Sequence, residues 1–70
     1  MAIALKNRLK VLRAELDITQ DQLARRIGVS RLSIHNVERG KAVPSVALAL
    51  RLARFFGVRV ERIFFLEETQ

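Results

Sequence analysis

Apolar residues recur along this chain at spacings of three and four, broken by short polar runs that carry a glycine or a helix-capping residue. Leu5, Leu9, Leu12 and Leu16 fall on one stripe, which predicts a first helix over about residues 5–15. Thr19 then reads as an N-cap, with Gln22 three residues on at the spacing of a capping box. Asp21 lies in the first turn, where a negative charge meets the positive end of the helix dipole. Leu23, Ala24 and Ile27 give this second helix one apolar face, and Gly28 ends it, because a left-handed residue after a helix costs glycine nothing. Val29 fills the turn. Ser30 caps a third helix from about Arg31 to Arg39, closed by Gly40. After a loop over 40–44, Ser45 caps a fourth helix that runs to about Phe56 and stops at Gly57. Ile18 is expected to plug into the core, and the stretch 58–63 suggests a short fifth helix. Residues 1–4 read as loose, and Glu67, Glu68, Thr69 and Gln70 as a solvated tail. There is no internal repeat or low-complexity tract.

The fourth helix is more apolar than a surface helix needs to be. Val46, Ala49, Leu50 and Ala53 make one stripe, while Leu48, Leu52, Phe55 and Phe56 make a second beside it. The second stripe is expected to be covered either by the C-terminal segment or by a partner chain. Phe64, Phe65 and Leu66 extend the apolar run, and they offer a short strand across a dimer axis as another geometry.

Seventy residues make one small domain, with a core small enough that oligomerisation is a common supplement. The chain has no cysteine, which excludes a disulfide framework or a cysteine zinc site and fits a reducing cytoplasm. Its N-terminal residues lack the layout of a signal peptide, and Arg51 and Arg54 interrupt apolar runs far too short to cross a membrane. With 13 Lys and Arg against 7 Asp and Glu, the net charge is +6, which points to an anionic partner, nucleic acid first.

Within residues 19–40, Ala24, Gly28 and Ile34 act together. The small residue lets two helices approach, the glycine makes the sharp turn, and the β-branched residue packs back on the first helix. These are the requirements of a helix-turn-helix. Here the chain resembles the Cro- and phage-repressor-like helix-turn-helix family, also called the XRE family. The resemblance rests on Thr19-Gln20, Leu23-Ala24, Gly28-Val29-Ser30, Ile34, Val37-Glu38, Gly40-Lys41, Pro44-Ser45 and Phe56-Gly57-Val58, and it covers about residues 5–65. It implies an all-α, five-helix, lambda-repressor-like bundle. The single domain would fill residues 1–70, with 64–70 a C-terminal extension toward a dimer partner. Arg59 stands where the family often has a Ser or Thr cap, which weakens the start of the fifth helix. The resemblance also implies an ion pair between Arg13 and Glu38, worth about 3–5 kcal/mol to break if it is largely buried.

At about 100° per residue, Arg31, Leu32, His35, Asn36 and Arg39 fall within an arc of about 140° on the third helix, opposite Ile34 and Val37. In the family the early positions of this helix read base edges, which assigns Arg31, Leu32, His35 and Asn36 to that task. The chemistry fits: Arg31 can donate twice to a guanine edge, Asn36 can pair with adenine as donor and acceptor, Leu32 can pack on a thymine methyl, and His35 can donate or accept. Gln20 and Ser30 at helix N-termini, Arg39 and Lys41 around the following loop, and Lys10 or Lys6 on the first helix are the expected phosphate contacts. Such proteins bind double-stranded DNA operators as two-fold pairs on half-sites about 34 Å apart. Leu48, Leu52, Phe55, Phe65 and Leu66 are the expected homodimer patch.

The expected function is a transcriptional regulator of the repressor type that needs no cofactor or metal. An alternative is the antitoxin of a toxin–antitoxin pair, which would add a protein partner. An enzyme is disfavoured. His35 is the sole histidine, Ser33 points to another side of the same helix, and no phosphate-binding glycine pattern or set of metal ligands accompanies them.

Overall fold

A computed structural model describes residues 2–69. The element order is β1 (Ala2–Asn7), α1 (Leu9–Leu16), α2 (Gln20–Ile27), α3 (Arg31–Glu38), α4 (Val46–Phe56), α5 (Val60–Ile63) and β2 (Phe64–Thr69). Among the described residues there are five helices, as expected, but the bundle is not all-α, because β1 and β2 pair antiparallel into a two-stranded ribbon.

The ribbon corrects several expectations at once. The first helix starts at Leu9 rather than Leu5, because residues 2–7 pair with 64–69. Residues 2–4, read as loose, and 67–69, read as a solvated tail, are both strand; Met1 and Gln70 lie outside the described residues. Phe64 to Leu66 do form a strand, but its partner is the N-terminal segment of the same chain. Leu5 sits opposite Leu66 and Asn7 opposite Phe64, so these four side chains share one face of the ribbon with Ile3 and Glu68. Lys6 and Phe65 lie on the other face, where the Arg8 guanidinium stacks on the Phe65 ring at 4.4 Å from its centroid.

The core is Leu9, Leu23, Ala24, Ile27, Ile34, Val37, Leu52, Ala53 and Ile63, one to three residues from each helix. Leu12, Ile18, Leu48, Phe55, Phe56 and Phe64 pack around it half-buried. The leucine stripe of the first helix is thus split: Leu9 is buried and Leu12 half-buried, while Leu5 belongs to the ribbon and Leu16 is exposed. Leu16 ends α1 because Asp17 turns left-handed at φ 55°, with its amide bonded to the Ala14 carbonyl and the Ile18 amide to the Arg13 carbonyl. Aspartate is one of the few residues besides glycine that visits this region routinely.

On α4 the two stripes exchange roles. Leu52 has no exposed surface, and Leu48 and Phe55 pack against the core, so these three close the monomer. Leu52 therefore cannot supply surface to a partner, which removes it from the expected dimer patch. It is Val46 and Leu50, on the other stripe, that face outward. Burying the longer Leu48–Leu52–Phe55 series against the rest of the bundle removes more apolar surface from water than burying Val46 and Leu50 would.

Candidate nucleic-acid interface

The α2–turn–α3 unit is built from local bonds. Thr19 Oγ accepts the Gln22 amide at 3.0 Å while Gln22 Oε1 accepts the Thr19 amide at 2.8 Å, which closes the capping box. Gly28 has φ 86°, and the amides of Gly28 and Val29 both reach the Ala24 carbonyl, at 2.8 and 3.0 Å. A Cβ at Gly28 would meet nothing within 4 Å, so the glycine is required by its backbone angle alone. Ser30 Oγ accepts the Ser33 amide at 3.1 Å and starts α3. Ala24 and Ile34 are both buried where the two helices meet.

The far end of α3 is held by charge. Glu38 receives a bidentate bond from Arg13, Nε to Oε2 and Nη2 to Oε1 at 3.0 Å, and the Gln20 amide adds a third donor at 3.2 Å. Arg13 Nη1 also donates to the Ile18 carbonyl at 3.0 Å. The side chains of Arg13 and Glu38 are only 14% and 6% exposed, so the pair is largely withdrawn from water. The hydrogen bond to Glu38 raises the Arg13 pKa above its ordinary value against the opposing effect of burial, so the guanidinium stays charged. One carboxylate thereby ties α1, α2 and α3 together.

The outward arc of α3 is different. Arg31 and Leu32 are exposed, His35 and Asn36 half-exposed, and Arg39 and Lys41 exposed beyond them. Among the described residues none of the polar side chains in this set has an intramolecular hydrogen bond or ion pair. The structure thus brings the expected base readers together on one free surface, with Arg39 and Lys41 at its edge. Ser30 and Gln20 lie beside it, each with its side chain already engaged, Ser30 in its cap and Gln20 on Glu38. What these two still offer an anion is the free backbone amides of the first turns they begin. Lys10 is exposed on α1. The Arg25–Asp21 pair at 3.1 Å is solvent-exposed and contributes little.

Asn7 escaped the sequence reading. Its side chain donates to the Val37 and Glu38 carbonyls at the end of α3 and accepts the Leu9 amide. Its bond from the Leu9 amide has no sequence signal of its own, because the helical period of Leu9 and Leu12 continues through Asn7 to Leu5.

No helix among the described residues is long and apolar enough to cross a membrane, and no group of three or more His, Cys, Asp or Glu among them could hold a metal.

The profile of the HTH_3 helix-turn-helix family matches residues 9–63. An uncharacterized HTH-type transcriptional regulator of Methanocaldococcus jannaschii is 47% identical over 66 residues, covering 94% of this chain and 100% of that one. One from Archaeoglobus fulgidus is 41% identical over 66 residues, 94% of this chain and 93% of that one. The uncharacterized HTH-type transcriptional regulator YgzD of Bacillus subtilis is 39% identical over 64 residues, 91% of this chain and 97% of that one.

Proposed function

The chain belongs to the XRE-type helix-turn-helix family of DNA-binding, non-enzymatic transcription regulators, and we propose that it is a sequence-specific cytoplasmic repressor acting as a homodimer. The observation that carries this reading is the division of α3. Ile34 and Val37 are buried, Glu38 is clamped, and the arc of Arg31, Leu32, His35 and Asn36 carries polar groups that no other group among the described residues uses. An eight-residue helix held at its base and free on one side suits entry into the major groove. Arg39, Lys41, Lys10 and the amides at the starts of α2 and α3 would position it on phosphates, and the side chains on the arc would choose the sequence.

The described residues measure 37 × 22 × 22 Å, and helix-turn-helix pairs read half-sites about one DNA turn, ~34 Å, apart. The surface that fits a second copy is not the one read from the sequence. Leu66 is retained from that patch; Leu48, Leu52, Phe55 and Phe65, the last on the other ribbon face under Arg8, are replaced by Ile3, Val43, Val46 and Leu50, each more than half exposed. Leu5, Pro44, Val46, Ala49, Leu50, Val60 and Phe64 line one apolar cleft between ribbon, loop and α4. Ile3 and Leu66 continue it along the same ribbon face.

Selection of bound duplexes from a random-sequence library tests the reading. Arg31→Ala should weaken the selected duplex by about 1–3 kcal/mol and relax preference at one base pair, whereas Lys41→Ala should weaken all duplexes alike and lower the salt slope by about one. An unchanged ratio of selected to random binding in Arg31→Ala would overturn the base-reading assignment. Leu50→Glu should give a monomer by analytical ultracentrifugation, and a wild type that is monomeric at micromolar concentration would end the dimer proposal.

A further inference from the structure

A helix leaves its last four carbonyls without an intrahelical donor, and in α3 these belong to His35, Asn36, Val37 and Glu38. His35 O accepts the Arg39 amide at 3.0 Å, Asn36 O accepts those of Lys41 and Ala42 at 2.9 and 3.2 Å, and Val37 O accepts Gly40 at 3.1 Å. The loop after the helix therefore serves three of the four. Among the described residues the donor to Glu38 O is Asn7 Nδ2, 31 positions upstream, at 3.3 Å; the same nitrogen reaches Val37 O at 3.0 Å. Asn7 Oδ1 meanwhile accepts the Leu9 amide at 3.1 Å. One carboxamide thus spends its acceptor on the start of α1 and its donors on the end of α3, from a backbone position that closes β1 opposite Phe64.

We propose that Asn7 is a positioning residue for DNA recognition. By holding the Val37 and Glu38 carbonyls it fixes the tilt of α3, and so the depth at which the reading side chains enter the groove. The Arg13–Glu38 pair fixes a side chain at this end; Asn7 fixes the backbone. The N-terminal end of α3 has its own anchor in the turn to α2, where the Gly28 and Val29 amides bond the Ala24 carbonyl. Without Asn7 the helix would pivot about that anchor, so His35 and Asn36 would move further than Arg31 and Leu32. The proposal rests on α3 being the reading helix.

Asn7→Ser and Asn7→Asp separate this role from capping. Serine keeps an acceptor for the Leu9 amide but is too short to reach α3. Aspartate keeps the acceptor, adds a charge that favours the α1 N-terminus, and sets a carboxylate against the α3 carbonyls. The probes are a duplex enriched by the wild type from a random library and a random-sequence duplex of equal length. Asn7→Ser should bind the enriched duplex about tenfold more weakly, the equivalent of losing two ordinary hydrogen bonds. Its binding to random duplex should stay within about twofold, since phosphate contacts are untouched. Asn7→Asp should discriminate no better than Asn7→Ser, and renewed library selection with either should lose base preference first at the positions read by His35 and Asn36. Recovery of wild-type discrimination in Asn7→Asp would reduce Asn7 to a cap and overturn the proposal, as would an unchanged ratio in Asn7→Ser or failure of both variants to fold. Arg31→Ala runs alongside: if it too leaves the ratio unchanged, the reading helix is misassigned; if it alone collapses the ratio, only the role of Asn7 falls.

Discussion

Between Thr19 and Ser33 the backbone groups at helix ends find partners within a few residues, in the capping box, at Gly28 and Val29 on the Ala24 carbonyl, and at Ser30. The ribbon has no such local bonds to form it. Its strands come from opposite ends of the sequence, and Leu5 pairs with Leu66 across all five helices between them. A two-stranded ribbon is marginal by itself in water. This one is secured by Ile63 and Phe64 at its base, by the Arg8 amide on the Ile63 carbonyl at 2.9 Å, and by Asn7 on α3. The helix-turn-helix is thus specified where it stands in the chain, while the ribbon depends on the fold already made.

That contrast can be broken, and the largest lever is the clamp. Arg13→Ala should lower stability by about 3–5 kcal/mol, because it strands a buried Glu38 carboxylate. An unchanged midpoint in thermal or urea unfolding would show that local bonds alone hold the unit. The same pair sets a pH expectation. Bonding to Glu38 raises the Arg13 pKa in the folded state, so its contribution is full below the unfolded-state value and is lost only as pH climbs through the higher folded value. The stability gap between wild type and Arg13→Ala should therefore show no loss from arginine titration between about pH 6 and pH 9. Next in size, Gly28→Ala should cost about 1–2 kcal/mol by forcing a Cβ into a left-handed turn without any clash. Thr19→Ala should cost about 1 kcal/mol through the lost cap, read by the same melts. Smallest is Phe65→Leu, which removes the ring beneath Arg8 and should cost about 0.5–1 kcal/mol. Its effect on amide exchange should be confined to β1 and β2; faster exchange in α2 and α3 would show that ribbon and reader unfold together.

The same contrast explains what could be read from the sequence. Every cap and stop from Thr19 to Gly57 was legible, because a threonine, serine or glycine at a helix end acts on its neighbours. The start of α1 was misread because Leu5 extends the period of Leu9 and Leu12 by chance, and helical spacing says nothing about a strand partner more than fifty residues away. Which stripe of α4 faces inward was undecidable from periodicity, since both are apolar; the packing of Leu52 settled it. The free outward surface of α3 was legible as an arc of residue types. The supports beneath it were visible only in part: Arg13 and Glu38 through the family resemblance, Gln20 and Asn7 only through the distances that bring them to α3.

The separation of held from free positions along α3 has a practical corollary. Among the described residues, 31, 32, 35 and 36 make no side-chain hydrogen bond, while 34, 37 and 38 are buried or bonded. A library randomised at the first four and constant at the other three should yield folded members throughout, each with its own preferred duplex. The scaffold would then serve as an interchangeable mount, on which new binding preferences are installed by four codons.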